Sequence, residues 1–316
     1  MLLVQFRYER KFFFINVLVY KKELKGWWVV SLREEMILNP ISQGGFSKVH
    51  HYIDGHGNRF CCKVTPQRNR KIFKNEIDIL NSFPPNIRFP KIYDHYETRE
   101  NCYMIMSLFR GTKVNNLERY TENTLKSILR GISRCLVLCH ENEVIHLDVK
   151  PQNLMMSDMS ETALTKLIDF GNSVRGTRVE LNNRVGTLEY MSPEHLTYPY
   201  RVTPKSDVWA MGVIMFLMGS GYMPFNDEEY KISEVIDNIK EMEPDYTLVE
   251  NNELRELVRW MLNKNPEDRP MAVEILNHPY LKGDIWDRYQ GELFPDERIE
   301  KFKRANTMVY LGKDVA

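Results

Sequence analysis

Between residues 144 and 171 short apolar runs alternate with short polar turns. Val144-Ile145 leads into His146-Leu147-Asp148-Val149-Lys150-Pro151-Gln152-Asn153, and Leu167-Ile168 leads into Asp169-Phe170-Gly171. Upstream, Leu125, Ile128, Leu129, Ile132, Leu136 and Cys139 recur with helical period, which predicts a buried helix over 121–142. Phe73, Ile77 and Leu80 share one face of another helix, and Tyr103–Phe109 reads as a buried strand. The run from Ser206 to Met218 is nearly all apolar beyond its first turn; it predicts a core helix with Ser206 as N-cap. Strand-forming residues cluster at Phe12–Tyr20 and Trp27–Val30, with Lys21 to Gly26 as the turn between them, so extra strands are expected over 1–35. Beyond Lys282 the chain turns polar. The mixed charges of 297–303, with the basic run Lys301–Arg304, predict a solvated tail over 283–316.

Composition narrows the classes only modestly. A length of 316 residues suggests about two domains. Lys+Arg and Asp+Glu are 43 each, so the formal charge is zero and gives no reason to expect a nucleic-acid or membrane partner. The apolar run at Phe12–Tyr20 is too short to span a bilayer, and Lys21-Lys22-Glu23 rather than small residues follow it, which argues against a cleaved signal. The cysteines are Cys61, Cys62, Cys102, Cys135 and Cys139, an odd number with no C-x-x-C spacing. That pattern points to free thiols in a reducing compartment, the cytoplasm or nucleus, rather than a disulfide or zinc framework.

The two turns carry the chemistry. Two carboxylates, a lysine and an asparagine at this spacing suit phosphoryl transfer, in which one group takes a hydroxyl proton and others hold metal-bound phosphates. His146 to Asn153 and Asp169-Phe170-Gly171 resemble the catalytic loop and D-F-G turn of the eukaryotic protein-kinase family. Further matches follow in order. Ile41-Ser42-Gln43-Gly44-Gly45-Phe46-Ser47-Lys48-Val49 resembles the glycine-rich loop, Cys61-Cys62-Lys63 the strand lysine motif, and Glu76 the glutamate of the following helix. Val185 to Glu194 resembles the close of the activation segment, and Arg269 is the expected buried partner of Glu194.

The resemblance covers Met36 to Lys282 and implies an α+β, bilobal fold. An antiparallel-sheet lobe over 36–106 would face a mainly helical lobe over 110–282, with ATP and Mg2+ between them. It also implies roles. Asp148 is the base, Lys150 neutralises the transferring phosphate, Lys63 bridges phosphates and pairs with Glu76, and Asn153 and Asp169 hold magnesium. The nucleotide would lie against Ile41, Ser42, Gln43, Gly44, Gly45, Phe46, Ser47, Val49 and Cys61 above, Met106 as gatekeeper, Ser107, Leu108 and Phe109 at the hinge, and Met155 below. Lys150 implies serine/threonine rather than tyrosine specificity, and the motifs at 221–225 and 278–281 are most similar to the calcium/calmodulin-dependent group. A protein substrate and a monomeric chain are expected.

The chain departs from the family pattern in places. Only Gly44 stands in register among the loop glycines, with Ser42 and Ser47 in the outer positions. Leu147 replaces the arginine that pairs with a phosphate on the activation loop, which predicts activity without phosphorylation of that loop. Lys113, Gln152 and Leu217 stand where basophilic relatives carry acids, which predicts little preference for basic peptides. A pseudokinase or ATP-binding scaffold on the same fold, and a small-molecule phosphotransferase, are the alternatives. The complete set of polar residues argues against the first, and the segment Thr187–Glu194, a peptide platform by resemblance, argues against the second.

Overall fold

The computed structural model describes residues 2–8, 11–19, 30–54, 57–114, 120–158, 160, 163–226 and 231–282, with residues 2–39 as backbone only. Its first half is a seven-stranded sheet with antiparallel neighbours: β1 (Leu2–Tyr8), β2 (Lys11–Val19), β3 (Val30–Gln43), β4 (Lys48–Ile53), β5 (Arg59–Pro66), β6 (Ile92–Glu97) and β7 (Asn101–Ser107). The spatial order is β1-β2-β3-β4-β5-β7-β6. Strands ahead of residue 36 therefore extend the sheet, while the expected turn at 21–26 and residues 27–29 lie outside the described residues. The β3–β4 register shifts on both sides of Pro40, which has no N–H to give to the ladder.

Strand alternation sets up the site. In β5, Phe60 and Cys62 join Tyr52, Tyr103 and Ile105 in an outer apolar cluster. Cys61 and Lys63, on the other face, line the cleft. Between β5 and β6 lies helix α1 (Arg70–Leu80), whose Phe73, Ile77 and Leu80 are buried as their spacing predicts.

After β7 the chain becomes mainly helical. Strands β8 (Thr112–Lys113), β9 (Val144–Ile145), β10 (Leu154–Met156), β11 (Thr165–Leu167), β12 (Val174–Arg175), β13 (Val179–Leu181) and β14 (Tyr200–Val202) are all short. The helices are α2 (Glu122–Glu141), α3 (Pro193–Leu196), α4 (Pro204–Ser220), α5 (Ile232–Glu241), α6 (Asn252–Met261) and α7 (Ala272–Leu276). Helix α2 is capped by Thr121, whose Oγ1 accepts from the Thr124 N–H at 3.3 Å. Gly131 sits in its middle because a Cβ there would stand 1.9 Å from Thr165 Oγ1; its absence lets α2 lie directly on β11.

Helix α4 is the buried axis of this half: every residue from Ser206 to Met218 is buried. Its N-cap is Thr203, not Ser206. Pro204 takes the first helical position, which favours an earlier start. Ser206 then falls at the third position, where its Oγ accepts from the Thr203 N–H at 3.2 Å. The architecture is α+β and bilobal, a sheet lobe joined to a helical lobe through Ser107–Arg110.

Candidate active site

A cavity of about 1300 Å³ lies between the lobes. Its roof is the β3–β4 hairpin: Ile41, Ser42, Gln43, Gly44, Gly45, Phe46, Ser47 and Val49 all line it, and the turn closes through Gly44 N–H to Ser47 O at 2.9 Å. Cys61, Met106, Ser107, Leu108, Phe109 and Met155 form the apolar end. Lys63, Glu76, Asp148, Lys150, Asn153 and Asp169 form the polar end. The cavity thus gathers every site residue expected from the sequence. Burial pushes the Cys61 thiol up to about 11, so it packs as a small neutral group rather than as a nucleophile.

The polar end is two hydrogen-bonded assemblies. In the first, Lys63 Nζ donates to both Glu76 oxygens, at 2.8 and 2.6 Å, and to Asp169 Oδ1 at 2.8 Å. Burial alone would lower the Lys63 ammonium, but the flanking Glu76 and Asp169 carboxylates outweigh it and raise it. Burial would likewise raise Asp169; the Lys63 charge overcomes it and holds Asp169 below the usual carboxylate range. Asn75, next to Glu76, donates to the carbonyls of Gly171 at 3.1 Å and Ser173 at 2.8 Å, tying α1 to the turn that carries Asp169. Phe170 completes the joint, packed edge-on to Phe89 at 4.9 Å and His146 at 4.8 Å.

In the second assembly, Thr187 Oγ1 donates to Asp148 Oδ1 at 2.7 Å and accepts from Lys150 Nζ at 2.6 Å. Lys150 also reaches Asp148 Oδ2 at 3.0 Å. Asn153 Nδ2 donates to Asp148 O at 2.8 Å and to Oδ2 at 3.1 Å. Asp148 is thereby oriented by three side chains from two chain segments.

A deeper layer fixes the loop itself. Asp207, at the start of α4, accepts from the backbone N–H of His146 and of Leu147, each at 2.9 Å, and pairs with His140 Nε2 at 2.9 Å. Leu147 adopts φ 64°, a left-handed conformation that a leucine avoids, and the paired N–H bonds to Asp207 hold it there. His146 Nδ1 accepts from the Asp148 N–H at 3.2 Å while Nε2 faces the Ile168 carbonyl at 3.3 Å, so the neutral Nε2–H form satisfies both. Burial lowers its pKa and favours that form. Gly186, before Thr187, has φ +100°, and a Cβ there would stand 2.2 Å from Leu147 O. Only glycine lets the segment carrying Thr187 come this close.

The donor set suits a hard cation held together with phosphates. Asn153 uses its amide nitrogen on Asp148, which leaves its carbonyl oxygen without a protein partner among the described residues, and Asp169 commits only Oδ1 to Lys63. No group of three or more His, Cys, Asp or Glu residues that could cage a metal occurs among the described residues. One carboxylate and one amide oxygen facing the cavity fit a hard divalent cation, which favours oxygen ligands and keeps places for substrate oxygens.

Sequence reasoning missed Asn75 and His140. Nothing local marks them: Asn75 acts on carbonyls 96 and 98 residues away. It did pair Glu194 with Arg269, which are joined by two bonds of 2.8 Å. Of the residues weighed for peptide preference, Lys113 and Gln152 line the cavity, whereas Leu217 is buried in α4.

Comparison with known proteins agrees with this geometry. A protein kinase domain model matches residues 36–281. Calcium-dependent protein kinase 24 of Arabidopsis thaliana is 30% identical over 77% of this chain and 44% of its own length. Calcium-dependent protein kinase 2 of Oryza sativa subsp. japonica is 30% identical over 81% of this chain and 53% of its own. Calcium-dependent protein kinase 6 of Plasmodium berghei is 31% identical over 85% of this chain and 19% of its own. The chain spans about half the length of the plant relatives, and a smaller share of the Plasmodium one. With a kinase-domain match from Met36 to Leu281 and the cleft built as described, the chain belongs to the eukaryotic protein kinase family.

Proposed function

We propose that the chain is a serine/threonine protein kinase that transfers the γ-phosphoryl group of Mg-ATP to a hydroxyl of a protein substrate. One observation carries the reading: the Lys63–Glu76–Asp169 triad and the Asp148–Thr187–Lys150 assembly face the same cavity. When bound, Mg-ATP supplies the phosphoryl group and the metal charge that screens it. Lys63, fixed by Glu76, holds the phosphates, and Asn153 and Asp169 hold the metal. Asp148 orients the acceptor hydroxyl and takes its proton as the acceptor oxygen bonds to the γ-phosphorus. The bond from that phosphorus to the β–γ bridging oxygen breaks, and ADP leaves with the electron pair. Lys150 offsets the negative charge of the group in transit. Five unpaired thiols support a reducing, cytoplasmic location for a chain that we read as a monomer.

The activation segment needs no phosphate in this reading. Leu147 is buried with Ile145 and Val202, and Val174, Val179, Leu181 and Val185 pack against them. An apolar contact thus occupies the place of a charge clamp.

The test is transfer of labelled phosphate from Mg-ATP to a generic protein substrate, comparing wild type with Asp148→Asn. Transfer by the wild type and a loss of at least about 100-fold in the variant is expected. ATP binding without transfer by either protein would refute the reading and favour a scaffold.

A further inference from the structure

The hinge end of the cavity carries a charge that phosphoryl transfer does not use. Strands β8, β10 and β11 form a small sheet in which Met155 pairs with Lys113 on one side and Lys166 on the other. Residues directly opposite one another in antiparallel pairs project from the same face. Lys113, Met155 and Lys166 therefore form one row, and all three line the cavity. Lys166 Nζ lies 5.0 Å from the centre of the Phe109 ring, which fixes this row at the hinge. Arg59 and Arg110 also line the cavity, Arg59 next in sequence to Phe60, which pairs with hinge residue Ser107, and Arg110 directly after Phe109.

No salt bridge engages Arg59, Arg110, Lys113 or Lys166 among the described residues. The lining carboxylates of Glu76, Asp148 and Asp169 are committed to Lys63, Lys150, Asn153 and Thr187. Glu189 is the remaining carboxylate, two residues beyond Thr187 and so at the acceptor end. An arginine-bearing peptide laid across this rim meets like charge, while a glutamate or aspartate meets unpaired cations.

We propose that this rim selects acceptor peptides that carry acidic residues on the hinge side of the phosphorylated serine or threonine, with Lys113 as the principal specificity residue. The proposal rests on the kinase reading above. It extends the expected indifference to basic peptides into a positive preference for acidic ones.

The experiment uses the full chain with Mg-ATP and serine peptides that carry Glu, Ala or Arg at the flanking positions, on either side of the acceptor. Binding of the same peptides is followed by fluorescence anisotropy. Expected is an order of Glu over Ala over Arg, with a Glu-to-Arg ratio in kcat/KM of about tenfold or more, mainly through KM. Lys113→Glu should collapse or invert that ratio, which reads independently of overall activity. The acidic run Asp227-Glu228-Glu229 follows the cavity residue Asn226 and lies outside the described residues, so a variant neutralising it is run in parallel. An Arg-flanked peptide preferred by the wild type, above all one whose advantage falls when 227–229 are neutralised, would overturn the proposal. So would a ratio unchanged by Lys113→Glu. Tighter binding of the Glu peptide with no transfer to any peptide would refute the kinase reading but leave the rim preference standing; equal binding of Glu and Arg peptides overturns the preference itself.

Discussion

Replacing Glu194 with Gln isolates one of the most buried charges in the molecule. The Arg269 side chain is fully buried, and Glu194 is only 15% exposed. Its guanidinium donates bidentately to Glu194, at 2.8 Å each, and also to the carbonyls of Asn263 at 2.6 Å, Lys264 at 3.1 Å and Lys205 at 3.2 Å. Trp209 stacks over it at 4.9 Å. Removing one member of a buried pair costs about 3–5 kcal/mol, because the other charge stays desolvated. The three carbonyls and the indole face remain in the variant, so the lower end, about 3 kcal/mol, is expected. For a domain of this size that corresponds to a fall of roughly 6–12 °C in Tm.

The cost should also depend on pH. Burial would raise Glu194, but its hydrogen bonds and charge pairing with Arg269 hold it below the usual carboxylate range. A depressed carboxylate stabilises the fold above its unfolded pKa of about 4.3, and that contribution is lost as pH falls through the folded value. The gap between wild type and Glu194→Gln should be constant from about pH 5 to 7 and close below about pH 4. Urea unfolding at several pH values measures it. Combining the variant with Arg269→Met should cost less than the sum of the two single changes by about 2 kcal/mol. A single-variant cost below about 1 kcal/mol, or strict additivity, would refute the buried-charge account.

Two further outcomes follow from the activation segment. Gly186→Ala should lower kcat/KM by about 100-fold or more while ATP affinity holds, because a Cβ at that position meets Leu147 O and pushes Thr187 off Asp148; steady-state kinetics with ATP titration checks it, and near-normal turnover would show that the close approach is dispensable. Thr177→Ala should leave activity within about twofold, since Leu147 and its apolar neighbours hold the segment; a large loss, restored by Thr177→Glu, would mean that a phosphate on the loop is needed after all.

Much of the site is legible in the amino-acid sequence, for an identifiable reason. The residue types of the two turns are dictated by phosphoryl-transfer chemistry, so Asp148, Lys150, Asn153 and Asp169 announce themselves by kind and spacing, whereas Lys63, on strand β5, and Glu76, on helix α1, are legible only through the resemblance to protein kinases. The helices at 70–80 and 122–141 are legible because their apolar residues repeat with the helical period and one face is buried. The start of α4 differs from its expected position by three residues because Thr203 and Ser206 are both competent caps, and which one serves depends on where Pro204 begins the helix.

What the sequence by itself determined, then, is the set of chemical groups and the local elements that carry them. Tertiary structure decided which groups meet. Asn75 reaches carbonyls 96 and 98 residues away, and Gly186 presses on the backbone at Leu147. It also decided that Leu147, locally only a missing arginine, is a buried member of an apolar cluster, and that Lys113 and Lys166 stand in one row on either side of Met155. Such pairings depend on how distant segments pack and on the register of strands, and no local periodicity or propensity encodes them.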